Sequence, residues 1–188
     1  MRFFNWLLLA ALLLALQGCF PVIAVGLGAG ALMGADRRTT GTYFEDTAIE
    51  RQASRQIFGQ YKDTVHASIT SFNRHVLVTG EAPSVEAKAG IEQIVASVPK
   101  VKSVSNELVI AGNSRLGSRT NDSLVTSNVK LRFIDNKDFQ PDHVKVVTEN
   151  GTVFLMGLVY RKEAEAATEI TRNSKGVQRV VTIFEYLD

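Results

Sequence analysis

One cysteine stands in 188 residues, at position 19. A single thiol closes no internal disulfide, so its use lies elsewhere. Histidine is nearly as scarce, at His66, His75 and His143. None stands in the H-x-x-x-H spacing that sets two imidazoles on one helix face for a metal. The chain has no glycine-rich phosphate loop and no nucleophile elbow. The stretch Gly26-Leu27-Gly28-Ala29-Gly30 lacks the full dinucleotide fingerprint, and no strand precedes it. Glu163 and Glu165 read as one solvated helix face. Catalysis, a metal and a cofactor beyond covalent lipid are therefore not expected. An excess of one charge is missing too: 21 Lys and Arg face 19 Asp and Glu, for a formal net charge of +2. Nucleic-acid binding, which usually shows as a strongly basic patch, finds no support. The apolar run from Phe3 to Leu16 is short of the roughly 20 residues that span a bilayer. Gln17-Gly18 and Pro21 interrupt any extension of it.

What the N-terminus does contain is an export pattern. Arg2 is the only charge ahead of the apolar run, and small residues close it. Leu16-Gln17-Gly18-Cys19 resembles the lipobox of bacterial lipoproteins. That resemblance implies that residues 1–18 are a cleaved signal peptide. It also implies that the Cys19 thiol carries a diacylglycerol and that the new amino terminus is acylated. One acyl chain holds a protein only weakly, at about 0.8 kcal/mol per buried methylene, whereas several on one residue hold it stably. Phe20, where an aspartate would favour retention at the inner membrane, implies sorting to the outer membrane. Residues 19–45 read as a lipidated terminus and tether. In it, Arg37-Arg38 either meets anionic headgroups, at about 1 kcal/mol per charge, or belongs to a plain spacer.

From Asp46 the chain repeats itself. "DTAIERQASRQIF" from Asp46 aligns with "DSLVTSNVKLRFI" from Asp122, and "VLVTGEAP" from Val76 with "VFLMGLVY" from Val153. "VKSVSNELVI" from Val101 follows in the same order as "VQRVVTIFEY" from Val177. Each copy predicts a helix, two strands, a second helix and a closing strand. Asp46 and Asp122 suit helix N-caps, and Val125, Val129 and Phe133 recur on one helical face. Asn150-Gly151 predicts a tight hairpin turn, and Asn73-Arg74-His75 a looser one. The second helices are expected at 85–97 and 162–173, the closing strands at 104–110 and 177–186. Gly80 and Gly157 are expected where a helix approaches a strand closely. The fold class is thus α+β: two tandem αββαβ domains, 46–111 and 122–188, joined by a linker over 112–121. Each has a three-stranded mixed sheet with both helices on one face. Units of roughly 65 residues lie near the lower limit for an independent core.

The αββαβ order, the glycine ending the second strand and the closing Val-x-x-Val resemble the BON domain. "VVTENGTVFLMGLV", Val146 to Val159, is worded as in the lipid-anchored, dual-domain members of that family. The resemblance implies a periplasm-facing outer-membrane protein that binds anionic phospholipid. It further implies a role in outer-membrane integrity, at the division site or beside envelope-assembly and division proteins.

The two opening helices differ in what they turn outward. Opposite Val125, Val129 and Phe133 lie Leu124 and Leu131, with Asn128 close by and Ser127 and Lys130 on the flanks. The matching positions of the first copy are Ala48, Gln52 and Arg55. Carried over position by position, the family's lipid face falls on Leu124, Ser127, Asn128, Leu131 and Arg132, with Lys130 beside them. The stripe equally suits a protein partner or the seam between the two domains.

Overall fold

The computed structural model describes residues 36–111 and 116–188, with side chains of the second span described from Asn121 onward. The residues read as signal peptide, Cys19 and most of the stretch read as tether lie outside the described residues. Residues 35–188 form one compact unit.

The first helix, α1 (Thr40–Tyr61), opens well before Asp46, because Thr39 caps it by accepting the Thr42 N–H on its side-chain oxygen. Strands β1 (His66–Phe72) and β2 (His75–Ala82) follow as an antiparallel hairpin closed by the Phe72–His75 pair. Helix α2 (Val85–Ala96), capped by Ser84, crosses over the sheet. It returns the chain to β3 (Ser103–Asn106) and the short β4 (Val109–Ile110), both parallel to β2. The closing strand expected over 104–110 is broken because Leu108 turns into the core. The second copy runs α3 (Leu116–Asp135), β5 (Val144–Glu149), β6 (Thr152–Val159), α4 (Arg161–Arg172) and β7 (Arg179–Tyr186). Here the sheet order is β5-β6-β7, antiparallel then parallel. Helix α3 begins inside the stretch read as linker.

Asp46 and Asp122 do not cap their helices, contrary to the sequence expectation. Each is buried within its helix and holds the tip of the hairpin beneath it. Asp46 accepts from the backbone N–H groups of Asn73 (2.9 Å) and Arg74 (2.7 Å) and from the Ser71 hydroxyl (2.6 Å). Asp122 accepts from Asn150 and Gly151, both at 2.9 Å. Two-residue turns place both central residues at positive φ and leave their N–H groups without a ladder partner. The carboxylate supplies that partner. It also explains why Asn73-Arg74 (φ 50° and 69°) is as tight as Asn150-Gly151 although it has no glycine. A left-handed arginine costs roughly 1–2 kcal/mol, and hydrogen bonds to a charged acceptor offset it.

Gly80 and Gly157 also act differently than expected. A Cβ on Gly80 would lie 2.1 Å from the His66 carbonyl oxygen, and one on Gly157 would lie 2.6 Å from that of His143. The obstacle is the backbone of β1 for Gly80 and that of the short helical turn Pro141–His143 leading into β5 for Gly157, and neither is the packing of α1 to α4.

Alternate strand residues divide between two kinds of core. Val76 and Val78 face α1 and α2, joining Ile49, Ala53, Ile91 and Val95. Val153, Leu155 and Val159 face α3 and α4, joining Val125, Val129 and Phe133. The intervening residues point the other way, and there the domains meet: Phe72 and Leu77 pack on Phe154 and Met156, flanked by Val147, Val181 and Ile183. The seam is sheet against sheet, and all four helices lie outside it. Asp122→Ala should strand the Asn150 and Gly151 donors and cost about 2–4 kcal/mol, read as a lower urea midpoint with unchanged slope at pH 7.

Candidate membrane-binding site

Helix α3 buries Val125, Val129 and Phe133 and leaves the opposite face to solvent. Leu124 is 61% exposed and Leu131 60%. Since the interdomain seam lies on the far side of the sheet, the reading of this stripe as the seam is wrong. Ser127, Asn128 and Lys130 are exposed between and beside the leucines. The Ser127 hydroxyl donates to the Ser123 carbonyl at 2.9 Å, which leaves its oxygen as an acceptor. Lys130 has no ion pair among the described residues.

Two features differ from the set drawn from the sequence. Ile134, 65% exposed, extends the apolar stripe by one turn beyond Leu131; its i+3 spacing from Leu131 was the signal that could have found it. Arg132 is not free. Its guanidinium donates to the carbonyls of Asn173 and Ile170 and to the Ser174 hydroxyl, tying α3 to the C-terminal end of α4. A cation there satisfies carbonyls that the last helical turn leaves unpaired.

Helix α1 presents the expected polar positions Ala48, Gln52 and Arg55. It also exposes Tyr43, Phe44 and Phe58 towards its two ends, so the contrast with α3 holds along the middle of the helix only.

Arg37 and Arg38 are not available to headgroups either. Arg37 donates to the Leu158 carbonyl (3.0 Å) and to both oxygens of Glu163 (2.6 and 2.8 Å), 4.9 Å from the centre of the Tyr160 ring. Arg38, its side chain 8% exposed, pairs with Asp36 and Asp46 and lies 4.1 Å over the Phe72 ring. The two neighbours thus grip different domains, Arg37 the second and Arg38 the first. Neither sequence alternative, headgroup contact or plain spacer, describes these charges, which strap residues 37 and 38 across both halves.

With this geometry in place, comparison with known proteins is informative. The sequence pattern of the BON domain matches residues 45–112 and 121–187. The chain belongs to the BON domain family. Its two BON domains correspond to the two sheets described above. The outer membrane lipoprotein DolP of Haemophilus influenzae is 34% identical over 176 residues, covering 92% of this chain and 91% of that protein. The 21 kDa hemolysin of Actinobacillus pleuropneumoniae is 30% identical over 154 residues, covering 81% and 79%. Neither name is that of an enzyme. A solved structure of CdsD, a structural protein of the type III secretion system of Chlamydia trachomatis, aligns over 77% of this chain and 92% of its own. With 14% identity and a TM-score of 0.31, that likeness is too distant to inform this chain.

Burial pushes the Glu163 carboxyl up, but hydrogen bonds from Arg37 and the Tyr160 N–H outweigh it and hold it below the ordinary glutamate range. A depressed carboxylate contributes stability above its unfolded value and loses it as pH falls through the folded one. Glu163→Gln should therefore lower stability at pH 7 yet flatten the loss between neutral pH and about pH 3, measured as melting temperature against pH.

Proposed function

We propose that this BON-family protein is an outer-membrane lipoprotein held through acylated Cys19 and facing the periplasm. We further propose that helix α3 of its second BON domain binds anionic phospholipid. The observation that carries this reading is the stripe Leu124, Leu131 and Ile134. These three large apolar side chains share one helix face, and neither their own core nor the seam covers them. A helix lying in the interface buries such a face among acyl chains while polar flanks meet the headgroups.

The roles divide by chemistry. Leu124, Leu131 and Ile134 enter the acyl boundary. Lys130 meets phosphate as a point charge, and Asn128 with Ser127 offers hydrogen bonds at headgroup depth. Arg132 positions the helix by gripping the end of α4. The anchor and the helix are two contacts on one tether, so the helix needs only modest affinity of its own because effective concentration multiplies it. A protein of this kind would gather where anionic lipid accumulates, which suits support of outer-membrane integrity and recruitment to the division site. The likeness to the Haemophilus lipoprotein supports the localisation.

Residues 35–188, a compact unit with three apolar cores, test the reading without the anchor. Cosedimentation with vesicles rich in phosphatidylglycerol should exceed that with pure phosphatidylcholine and weaken with salt. Leu131→Glu should lower it at least about tenfold while shifting the melting temperature by no more than about 2 °C, since the residue is exposed. Equal binding by wild type and variant, or equal binding to both lipids, would sink the proposal. It would also move attention to a protein partner in envelope assembly.

A further inference from the structure

The seam between the sheets is apolar at its centre and mostly complementary at its rim. Lys145 pairs with Glu50 at 3.3 Å, Arg179 with Glu107 at 3.8 Å, and His75 with Glu185 at 3.1 Å, each bridging the two domains. At another stretch of the rim, Glu81 on β2 and Glu149 on β5 come together from opposite domains, with His66 on β1 beside them. Asp122 adds a further carboxylate close by.

We propose that His66, Glu81 and Glu149 form a binding site for a divalent transition-metal cation of the zinc class, bridging the two BON domains. One donor atom from each residue lies within 4.8 Å of the others. The His66 Nδ1 is already 2.9 Å from a Glu81 carboxylate oxygen, so a small shift opens the space of a shared ion. One imidazole nitrogen and two carboxylates, with water completing a tetrahedron, is a donor set that zinc accepts. Imidazole in the set disfavours magnesium and calcium, which take oxygen.

The surroundings match what a metal site needs. A groove of about 380 Å³ runs past His66, Asp122, Thr148 and Glu149, giving an approach path and room for a water ligand. The carboxylates have outer partners: the Asn150 side-chain amide lies 3.4 Å from the other Glu81 oxygen, and Thr79 hydrogen-bonds Glu149. Such partners fix the orientation of a ligand. Gly80 makes room for the imidazole, since a Cβ there would stand 3.1 Å from the His66 Nδ1. Glu81 is 3% exposed, whereas His66 and Glu149 are half-buried and line the groove. A dication held by all three would link the domains.

The test uses residues 35–188, which lack Cys19, the one thiol that would compete for the ion. Titration with Zn²⁺ against a chromophoric chelator at pH 7.5 should show one tight equivalent, at least about tenfold weaker in His66→Ala and in Glu149→Gln. His75→Ala, a control at another interdomain pair, should keep wild-type affinity. Excess Zn²⁺ at about a hundred times the dissociation constant should raise the melting temperature by roughly 5–10 °C in the wild type only. Should a variant fail to fold by circular dichroism, Co²⁺ loading of the wild type decides, because low-symmetry ligation gives strong visible absorption. Absence of a stoichiometric equivalent, affinity unchanged in both variants, or a Co²⁺ spectrum like that of the aqueous ion would each overturn the site.

Discussion

A three-stranded sheet with helices on one face still has a second face to cover, and strands this apolar cannot leave it in water. In β6, Phe154 and Met156 alternate with Val153 and Leu155, so both faces are hydrophobic. Packing the helix-free faces of two such sheets together solves the problem for both domains. Contact between Phe72, Leu77, Phe154 and Met156 takes these side chains out of water. At roughly 1.5–3 kcal/mol per fully buried large apolar side chain it contributes several kcal/mol. Units near the lower size limit for independent folding gain most from this arrangement. It also fixes the outward direction of α1 to α4, which leaves the Leu124, Leu131 and Ile134 face of α3 uncovered among the described residues.

Duplication made the two halves alike where packing demands it and let them diverge where it does not. The buried aspartate gripping a hairpin tip occurs in both, at Asp46 and Asp122, although one turn has glycine and the other does not. The glycine that lets the β1 or β5 end approach recurs at Gly80 and Gly157. Outward helix positions carry no such demand. Gln52 and Asn128 remain polar in both copies, while Ala48 and Arg55 correspond to Leu124 and Leu131.

Much of this was legible in the sequence because it depends on local periodicity. The order αββαβ, the strand at 66–72 and the strand at 152–159 follow from alternation and turn residues, and the structure reproduces them. The exposure of Leu124 and Leu131 follows from helical spacing against Val125, Val129 and Phe133. What was not legible depends on contacts between residues far apart in the chain. Asp46 looks like a cap when only its neighbours are considered; that it reaches Asn73 and Arg74 is a tertiary fact. The sequence alone leaves Arg37 and Arg38 open between headgroup contact and plain spacer, and it shows nothing of the Glu163, Asp46 and α4 carbonyls that Arg37, Arg38 and Arg132 meet. Histidine spacing shows no metal motif for the same reason: His66 meets Glu81 across a strand pair and Glu149 across the seam.

These long-range contacts link the candidate sites physically. Asp122 belongs to the helix that carries Leu124 and Leu131, yet its carboxylate holds the Asn150-Gly151 turn next to Glu149. The groove that runs past His66 and Glu149 is walled on one side by Asp122, Ser123 and Thr126 of that same helix. Thr126 in turn donates to Thr148 at 2.7 Å, joining helix to strand beside the groove. The groove therefore adjoins α3 at Asp122, Ser123 and Thr126, among the same turns that carry the exposed Leu124. An ion bound as proposed between Glu81 and Glu149 would brace the base on which α3 rests. If α3 binds lipid as proposed, such a base would help it, because ordering a surface in advance lowers the entropy lost on binding. The two proposals would then be coupled through the short stretch from Asp122 to Leu131.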